Sequence, residues 1–500
     1  MKKIIIIIAC IFITINLYSQ SYFNRLYSLE YPDFGAIFSI VATKDGGYCF
    51  PYDIVNNSVD SSFIHIIKTN NKGDTTWAKK YGEPKKKYYY SSTKIYLLPN
   101  DDMMIVGKSY KPDTLLDRKT FGFALKIDKE GNQKWLKEFN NGYNECAFDN
   151  MVICSDSDYL FSGYCQQYNQ ITKKYEYSDA YFVKTDTNGK LVWQKVVGNK
   201  FFSENITHGI ETPNKEFIFV GNYYNSADGY NYMILKLNKD GQLMFFNTFG
   251  GEQNESYAQI LQRGNNKYLI LGVSRTRWSN LITQSKSILT QIDSSGTIIW
   301  EKNYGEETSY FTYYKVLEMK DGSFVAAGAQ NLKPYFCGLT KFDKDGNIKW
   351  HRNYKHQKNL SQDIWDAAIT QDKGFILAGT AFQDTLAKGS QGWLLKLDSL
   401  GCDKKGCATS TATEETVKEV FFSVYPNPSS DNITIQLGEE NTENTSVKII
   451  NTYGTVLYKN KITTNEKMIH IDVSSYAAGT YFVMVENERV KGVKKVVVLK

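Results

Sequence analysis

Residues 126–135 read KIDKEGNQKW, and close variants of that phrase return six more times along the chain. Aligned on the central glycine, the copies are KTNNKGDTTW (68–77), KIDKEGNQKW (126–135), KTDTNGKLVW (184–193), KLNKDGQLMF (236–245), QIDSSGTIIW (291–300), KFDKDGNIKW (341–350) and the truncated KLDSLGCDKK (396–405). Successive glycines, from Gly73 to Gly401, lie 58, 58, 52, 55, 50 and 55 residues apart. Self-similarity at this spacing marks an array of like units whose loops absorb the variation. Each phrase carries Asp or Asn three residues before its Gly. That is the chemistry of a tight hairpin in which glycine takes a positive φ.

The surroundings of the phrase repeat as well. An aromatic or apolar residue often follows the Trp four places on, as Tyr81 follows Trp77 and Tyr304 follows Trp300. Next come an apolar strand such as YAQILQR (257–263), a turn such as KDGS (320–323), and a strand ending on glycine, as in FIFVG to Gly221 and FILAG to Gly379. A further strand, for example GWLLKLD (392–398), runs into the next phrase. Each unit thus holds four short strands, and no helical period competes. Abundant Tyr (36) and Phe (28) with scarce Pro (9) favour strands too.

Four strands in a unit of this length make the blade of a β-propeller, so seven copies predict seven blades. A lone sheet cannot bury both faces, so the recurring Trp is expected to pack between neighbouring blades. The seventh copy lacks its Trp strand. FNRLYS (23–28) supplies one, with Phe23 at the Trp position and Tyr27 four residues on. This N-terminal strand is expected to complete the last blade and close the ring, which removes exposed sheet edges.

Composition bounds the rest. The 500 residues are 42% hydrophobic and 22% charged, which suits a globular chain of more than one domain or a large repeat array. A net charge of +6 at this length does not argue for nucleic acid. The run Lys85-Lys86-Lys87 before Tyr88-Tyr89-Tyr90 reads as a solvated loop. The N-terminus, MKKIIIIIACIFITINLYSQS, has a positive start, a short apolar stretch and a plausible cleavage point at Ser19-Gln20. It reads as a secretory signal peptide over 1–20, too short for a membrane span. The apolar run continues past Cys10, which argues against a lipidated cysteine. No other stretch is long and apolar enough to span.

Seven cysteines remain beyond Cys10, an odd count that leaves at least one thiol unpaired. Export permits disulfides, and Cys402 and Cys407, which bracket DKKG, are the expected pair. There is no Cys-x-x-Cys and no zinc-spaced His/Cys cluster, and five His make a His-rich metal site improbable.

After Cys407 the polar, Thr-rich ATSTATEETVKEV (408–420) reads as a linker. From FFSVYPNPSSDNITIQL (421–437) onward, short alternating strands with Gly and Asn turns predict a small antiparallel β-sandwich. Within it stand Tyr425-Pro426-Asn427-Pro428, Ile449-Ile450-Asn451 with Gly454, Asp472-Val473-Ser474, Gly479-Thr480-Tyr481 and Lys494-Lys495. On these residues the segment 421–500 resembles the type A sorting domain of the Bacteroidetes type IX secretion system. The resemblance implies that Tyr425, Pro426, Asn427, Pro428, Gly479 and Tyr481 belong to a sorting motif. It further implies that the secretion machinery is a partner, and that the protein reaches the outer cell surface or the medium through the periplasm.

The expected organisation is all-β: signal peptide 1–20, seven-bladed β-propeller 21–407, linker 408–420 and sorting β-sandwich 421–500. DKDGN (343–347) and NKDGQ (238–242) have the look of calcium loops, but a strand and an aromatic follow where an EF-hand needs a Glu and a helix. The phrase also resembles the Trp-containing repeats of pyrroloquinoline-quinone propellers, yet no charged, metal-bearing central site is legible, so no cofactor or metal is expected. GxSxG, Walker and HExxH motifs are missing, and no catalytic residue stands out. Paired carboxylates for glycoside cleavage stay open, because 53 Asp and Glu are scattered over many loops. Three functions therefore remain: a monomeric scaffold that binds an extracellular glycan or protein, a polysaccharide hydrolase or lyase, and a structural surface protein. Tyrosine-rich loops at 164–181 and 222–232 favour the first, because Tyr offers rigid contact area at low entropic cost.

Overall fold

The computed structural model describes residues 21–28, 35–54, 63–82, 89–113, 117–169, 171–172, 174–198, 202–225, 229–249, 254–264, 266–278, 281–304, 311–330, 336–356, 361–382, 389–405, 407, 422–437, 445–451, 455–462, 467–486 and 491–499. The expected signal peptide 1–20, the run Lys85-Lys86-Lys87 and the expected linker 408–420 lie outside them. The chain divides into two compact units, Met1–Lys405 and Gly406–Lys500.

Among the described residues the larger unit is built of strands in seven four-stranded antiparallel sheets and one two-stranded pair, Gly35–Ala36 with Asp53–Ile54. Five sheets use consecutive strands in order, starting at Tyr89–Leu97, Glu145–Ile153, Ser203–Glu211, Asn254–Arg263 and Phe311–Glu318. The first sheet, from Val41–Ala42 to Thr75–Tyr81, skips only the short Asp53–Ile54. The seventh takes Ser361–Ile369, Phe375–Phe382 and Ser390–Leu397, and its fourth strand is Phe23–Tyr27 from the other end of the unit. Phe23 faces Lys396 and Tyr27 faces Gly392 in that antiparallel ladder.

The repeated phrase joins each sheet to the next. Gly131 lies so close to the Trp77 ring that a Cβ would stand 2.9 Å from it, and Gly401 meets Trp350 at 2.7 Å in the same way. The tyrosine four residues after the aromatic then donates to the same glycine's carbonyl: Tyr81 to Gly131 at 2.7 Å, Tyr304 to Gly346 at 2.6 Å and Tyr354 to Gly401 at 2.7 Å. The turn so clamped is closed internally. Gly131 N donates to Asp128 O at 2.9 Å, and Asn132 N donates to Asp128 Oδ1 at 2.7 Å.

Buried clusters follow the same logic. One joins Ile64, Ile66 and Tyr81 to Met103, Ile105 and Phe123, and another joins Met104 and Val106 to Phe148 and Phe161. The sequence continues from sheet to sheet until Ile376, Ala378 and Leu394 of the seventh meet Tyr48, Phe50 and Ile67 of the first. Each sheet is thereby covered on both faces, which is how a short antiparallel sheet gains enough apolar burial to be stable.

The phrase's leading lysine has a separate task. Lys396 is 1% exposed and meets Asp372 at 2.8 Å, while Lys68 meets Asp45 and Lys236 meets Glu216, each at 2.6 Å. The acid comes from the preceding turn of the same sheet, so the pair pins turn to strand.

A disulfide links Cys146 to Cys165, which face each other across one antiparallel ladder. Cys49, Cys154 and Cys337 are buried free thiols, and burial pushes the Cys154 thiol up to about 12. Cys402 and Cys407 are each disulfide-bonded.

The smaller unit contains a three-stranded sheet (Phe422–Tyr425, Asn432–Leu437, Met468–Asp472) and a four-stranded one (Val456–Ile462, Thr445–Asn451, Gly479–Glu486, Lys491–Val498). Their alternating apolar residues, including Ile433, Ile435, Ile449, Val483 and Val496, share one core.

Candidate functional site

Two concave regions of the larger unit gather chemistry. The first is a cavity of about 420 Å³ lined by residues from the first strands of all seven sheets. β-Bulges aim its side chains. Register slips at Asp149, Thr207, Tyr314 and Trp365, and all four residues line the cavity. A bulge leaves one residue without a ladder partner and turns it out of the usual alternation. It also crowds the neighbouring strand, which explains the strand-ending glycines. A Cβ on Gly163 would sit 2.1 Å from Ala147 O, and one on Gly379 would sit 1.8 Å from Asp363 O.

The cavity wall is bonded from sheet to sheet. Asp366 accepts from Ser39 Oγ at 3.0 Å and Ile40 N at 2.9 Å, and pairs with Lys315 at 2.9 Å. Ile95 N donates to Ser39 Oγ at 3.2 Å, and Met151 N donates to Tyr96 Oη at 3.1 Å. Gln259 bridges to Val316 by bonds of 2.8 and 3.1 Å. Against the burial that would raise it, Lys315 and Lys94 hold the Asp366 carboxyl below its usual range.

Three groups on this wall are less committed. Asp149 accepts no side-chain hydrogen bond and makes no ion pair among the described residues; burial raises its carboxyl despite the pull of Lys94 and Lys108. His208 has a buried Nδ1 with no hydrogen-bond partner, and burial, then Lys315 and Lys94, push it down to about 3, so it is neutral at pH 7. Lys94 makes one long bond, 3.4 Å to Phe38 O. Trp365, flanked by Tyr314 at 4.8 Å and Phe38 at 5.6 Å between ring centroids, supplies an aromatic wall. Sequence reasoning missed this constellation. Its signal was the column of the repeat just before the turn, where Asn150, His208, Lys315 and Asp366 are polar amid apolar strands.

The second region is a surface cleft of about 1100 Å³ beside two long hairpins, Tyr159–Asn169 with Lys174–Thr185 and Phe217–Asn225 with Gly229–Leu237. Tyr143, Tyr175, Tyr177, Tyr224 and Tyr230 line it together with Gln166, Glu176 and Asp179. Tyr175, Tyr177 and Tyr230 are 40%, 37% and 38% exposed. Tyr224 and Tyr230 face each other across the hairpin with centroids 4.7 Å apart. Asn169 Nδ2 donates to Glu176 Oε1 at 3.1 Å, and Gln166 Nε2 donates to Glu176 O at 2.5 Å, which braces the other hairpin. Burial raises the Asp179 carboxyl, and Tyr143 donates to it at 3.5 Å. Of the tyrosines at 222–232, Tyr223 points the other way: it meets Phe202 and Phe246 at 5.0 and 5.9 Å. Adjacent strand residues face opposite sides, so Tyr223 and Tyr224 cannot share the cleft. No group of three or more His, Cys, Asp or Glu able to hold a metal occurs among the described residues.

In the smaller unit the residues that the resemblance assigned to a sorting motif occupy three settings. Tyr425 is 42% exposed, and its hydroxyl donates to Gln436 Oε1 at 3.4 Å. Asn427, between Pro426 and Pro428, accepts from Val497 N at 2.9 Å and donates to Lys495 O at 2.8 Å. Its side chain thus does the edge pairing that a proline, having no N–H to donate, cannot supply. Gly479 begins the strand in which Tyr481 is buried, with the Tyr481 hydroxyl donating to Ala477 O at 2.7 Å. These residues therefore combine an edge hook and an internal strand.

No curated protein matches the chain. Among solved structures, the polysaccharide lyase Uly1 is 8% identical with a TM-score of 0.43, covering 77% of this chain and 93% of its own. An α-L-arabinofuranosidase from Fusarium graminearum is 8% identical with a TM-score of 0.41, covering 76% and 98%. PorZ, a surface component of the type IX secretion system of Porphyromonas gingivalis, is 12% identical with a TM-score of 0.21, covering 93% and 81%. Residues 423–499 match the family of secretion-system C-terminal sorting domains. With that tail, the chain is a cargo of the type IX secretion system, exported by way of the periplasm to the cell surface or the medium.

Proposed function

We propose that this cargo is a monomeric recognition scaffold, a seven-bladed β-propeller carrying a β-sandwich sorting module, and that it binds an extracellular glycan in the tyrosine cleft. The observation that carries this reading is the set of half-exposed Tyr175, Tyr177 and Tyr230 beside Gln166, Glu176 and Asp179 in one cleft of about 1100 Å³. Aromatic faces cover the apolar faces of sugar rings, while amides and carboxylates take their hydroxyls. Such a cleft is larger than most small-molecule sites, which run to about 1,000 Å³, and suits several sugar units.

The test is a glycan array probed with the exported chain and with a Tyr175→Ala/Tyr230→Ala variant. Saturable binding to one glycan class, lost in the variant and kept in Tyr177→Phe, supports the reading. A blank array, or equal binding by both proteins, overturns it. We also read Cys402 and Cys407 as partners in one disulfide; non-reducing peptide mapping that assigns either to another cysteine refutes that pairing.

A further inference from the structure

One cation on the wall of the seven-sheet cavity, Lys94, is left with unmet hydrogen-bond donors among the described residues. Asp366 is saturated, with Ser39 Oγ, Ile40 N and Lys315 Nζ all within 3.0 Å. Lys315 is committed to that carboxylate at 2.9 Å. Lys94 is different: its ammonium carries three donors, and one bond of 3.4 Å is all they make among the described residues. Asp149 lines the same wall and its carboxyl feels the charge of Lys94, yet the two form no ion pair among the described residues. One lysine thus faces the cavity with unmet donors and positive charge.

The remaining lining restricts the guest's shape and size. Trp365, held by a bond from its Nε1 to Thr380 Oγ1 at 3.1 Å, presents ring surface flanked by Tyr314. His208 adds a buried ring nitrogen, Nδ1, with no partner. A cavity of about 420 Å³ lies within the ordinary range of small-molecule sites, about 300–1,000 Å³. Lys94, Asp149, His208 and Trp365 are all partly exposed along it, so solvent reaches the site.

We propose that this cavity is a second binding site, and that it takes a carboxylated sugar whose carboxylate pairs with Lys94 while its ring lies on Trp365 and a hydroxyl reaches His208. A charge-assisted pair in a recessed site is among the stronger polar contacts, so Lys94 confers the selectivity for an anion. Burial raises the carboxyl of Asp149 on the same wall, against the pull of Lys94 and Lys108. The site uses none of the residues that line the tyrosine cleft, so it stands whether or not the cleft binds a glycan.

Calorimetric titration of the exported chain with glucuronate, glucose and acetate tests it. Glucuronate is expected to bind. Glucose is expected at least about tenfold weaker for want of the charged pair, and acetate similarly weaker for want of a ring. Lys94→Gln should weaken glucuronate at least about tenfold and leave the melting temperature unchanged. Trp365→Phe, a conservative variant, should weaken glucuronate less than Lys94→Gln does. If glucuronate does not bind, binds no better than glucose, or binds Lys94→Gln as it binds the parent, the proposal is wrong. Tight acetate binding equal to glucuronate would overturn the sugar and leave a bare carboxylate site.

Discussion

The hydroxyl of Tyr27 donates to the carbonyl of Gly73 at 2.6 Å, although the two belong to different sheets and stand 46 positions apart. It is the same bond that Tyr354 makes to Gly401 and Tyr81 makes to Gly131. The N-terminal strand therefore copies the Trp strand of a repeat in its pairing and in its latch. Arg25 adds an exposed contact to Asp74 at 2.6 Å.

Removing this strand should weaken the whole larger unit. Deletion of residues 21–30 leaves the Ser390–Leu397 edge unpaired and uncovers Phe50 and Tyr48, which Tyr27 and Phe23 pack against. A clear drop in melting temperature is expected. Tyr27→Phe should cost about 1 kcal/mol in urea unfolding, the size of one buried hydrogen bond. A deletion that melts with the parent would show that the strand is dispensable.

Cys146 and Cys165 are both fully buried and 19 residues apart, so their link constrains an unfolded loop. A Cys146→Ala/Cys165→Ala double variant should lose roughly 3 kcal/mol by denaturant titration. Cys49→Ala, at a free thiol, should leave the stability difference between oxidised and reduced protein as it is in the parent. Equal stability of the double variant and the oxidised parent would count against a stabilising role.

Asp372 and Lys396 are buried together, so truncating one strands the other. Asp372→Ala should cost about 3–5 kcal/mol. Burial alone would raise the Asp372 carboxyl, but the hydrogen bond from Lys396 leaves it lowered. A carboxyl lowered by folding contributes stability that is complete above its unfolded value, about 4, and is lost as pH falls through the folded one. The parent should therefore lose stability steeply below about pH 4, and Asp372→Asn should flatten that limb in pH-dependent melting.

Asp363 has the opposite sign. Burial pushes its carboxyl up to about 6. The folded state binds the proton more tightly, so stability rises as pH falls from 7 toward about 4. Asp363→Asn should stabilise the protein at pH 7 by at most about 3 kcal/mol and make no difference near pH 4. Melting curves at the two pH values decide this; a destabilised variant at pH 7 would refute it.

Asn427 is the hook of the sorting domain. Asn427→Ala removes both bonds to the Lys491–Val498 strand and should lower the fraction of protein reaching the medium or cell surface. Deleting 423–499 should hold the protein in the periplasm. Immunoblots of fractionated cells read both, and undiminished export of the deletion would be incompatible with a sorting role.

The repeat, its four strands per unit, the closing N-terminal strand and the sorting tail were all legible in the residues. Each rests on local chemistry, such as Asp-x-x-Gly turns and period-two strands, that recurs at fixed spacing and leaves its mark along the chain. The packing of the recurring Trp between neighbouring sheets was foreseeable for the same reason, and Trp77 meets Gly131 of the next sheet. The tertiary structure decided what lies where the sheets converge. Lys94, Asp149, His208, Lys315 and Asp366 span 273 positions of sequence, and only bulges in separate strands turn them toward one cavity. Likewise Cys146 met Cys165, rather than the nearer Cys154, because ladder register and not sequence distance selects the partner. Tyr223 and Tyr224 parted for the same reason: strand alternation sends one to the core and its neighbour to the cleft.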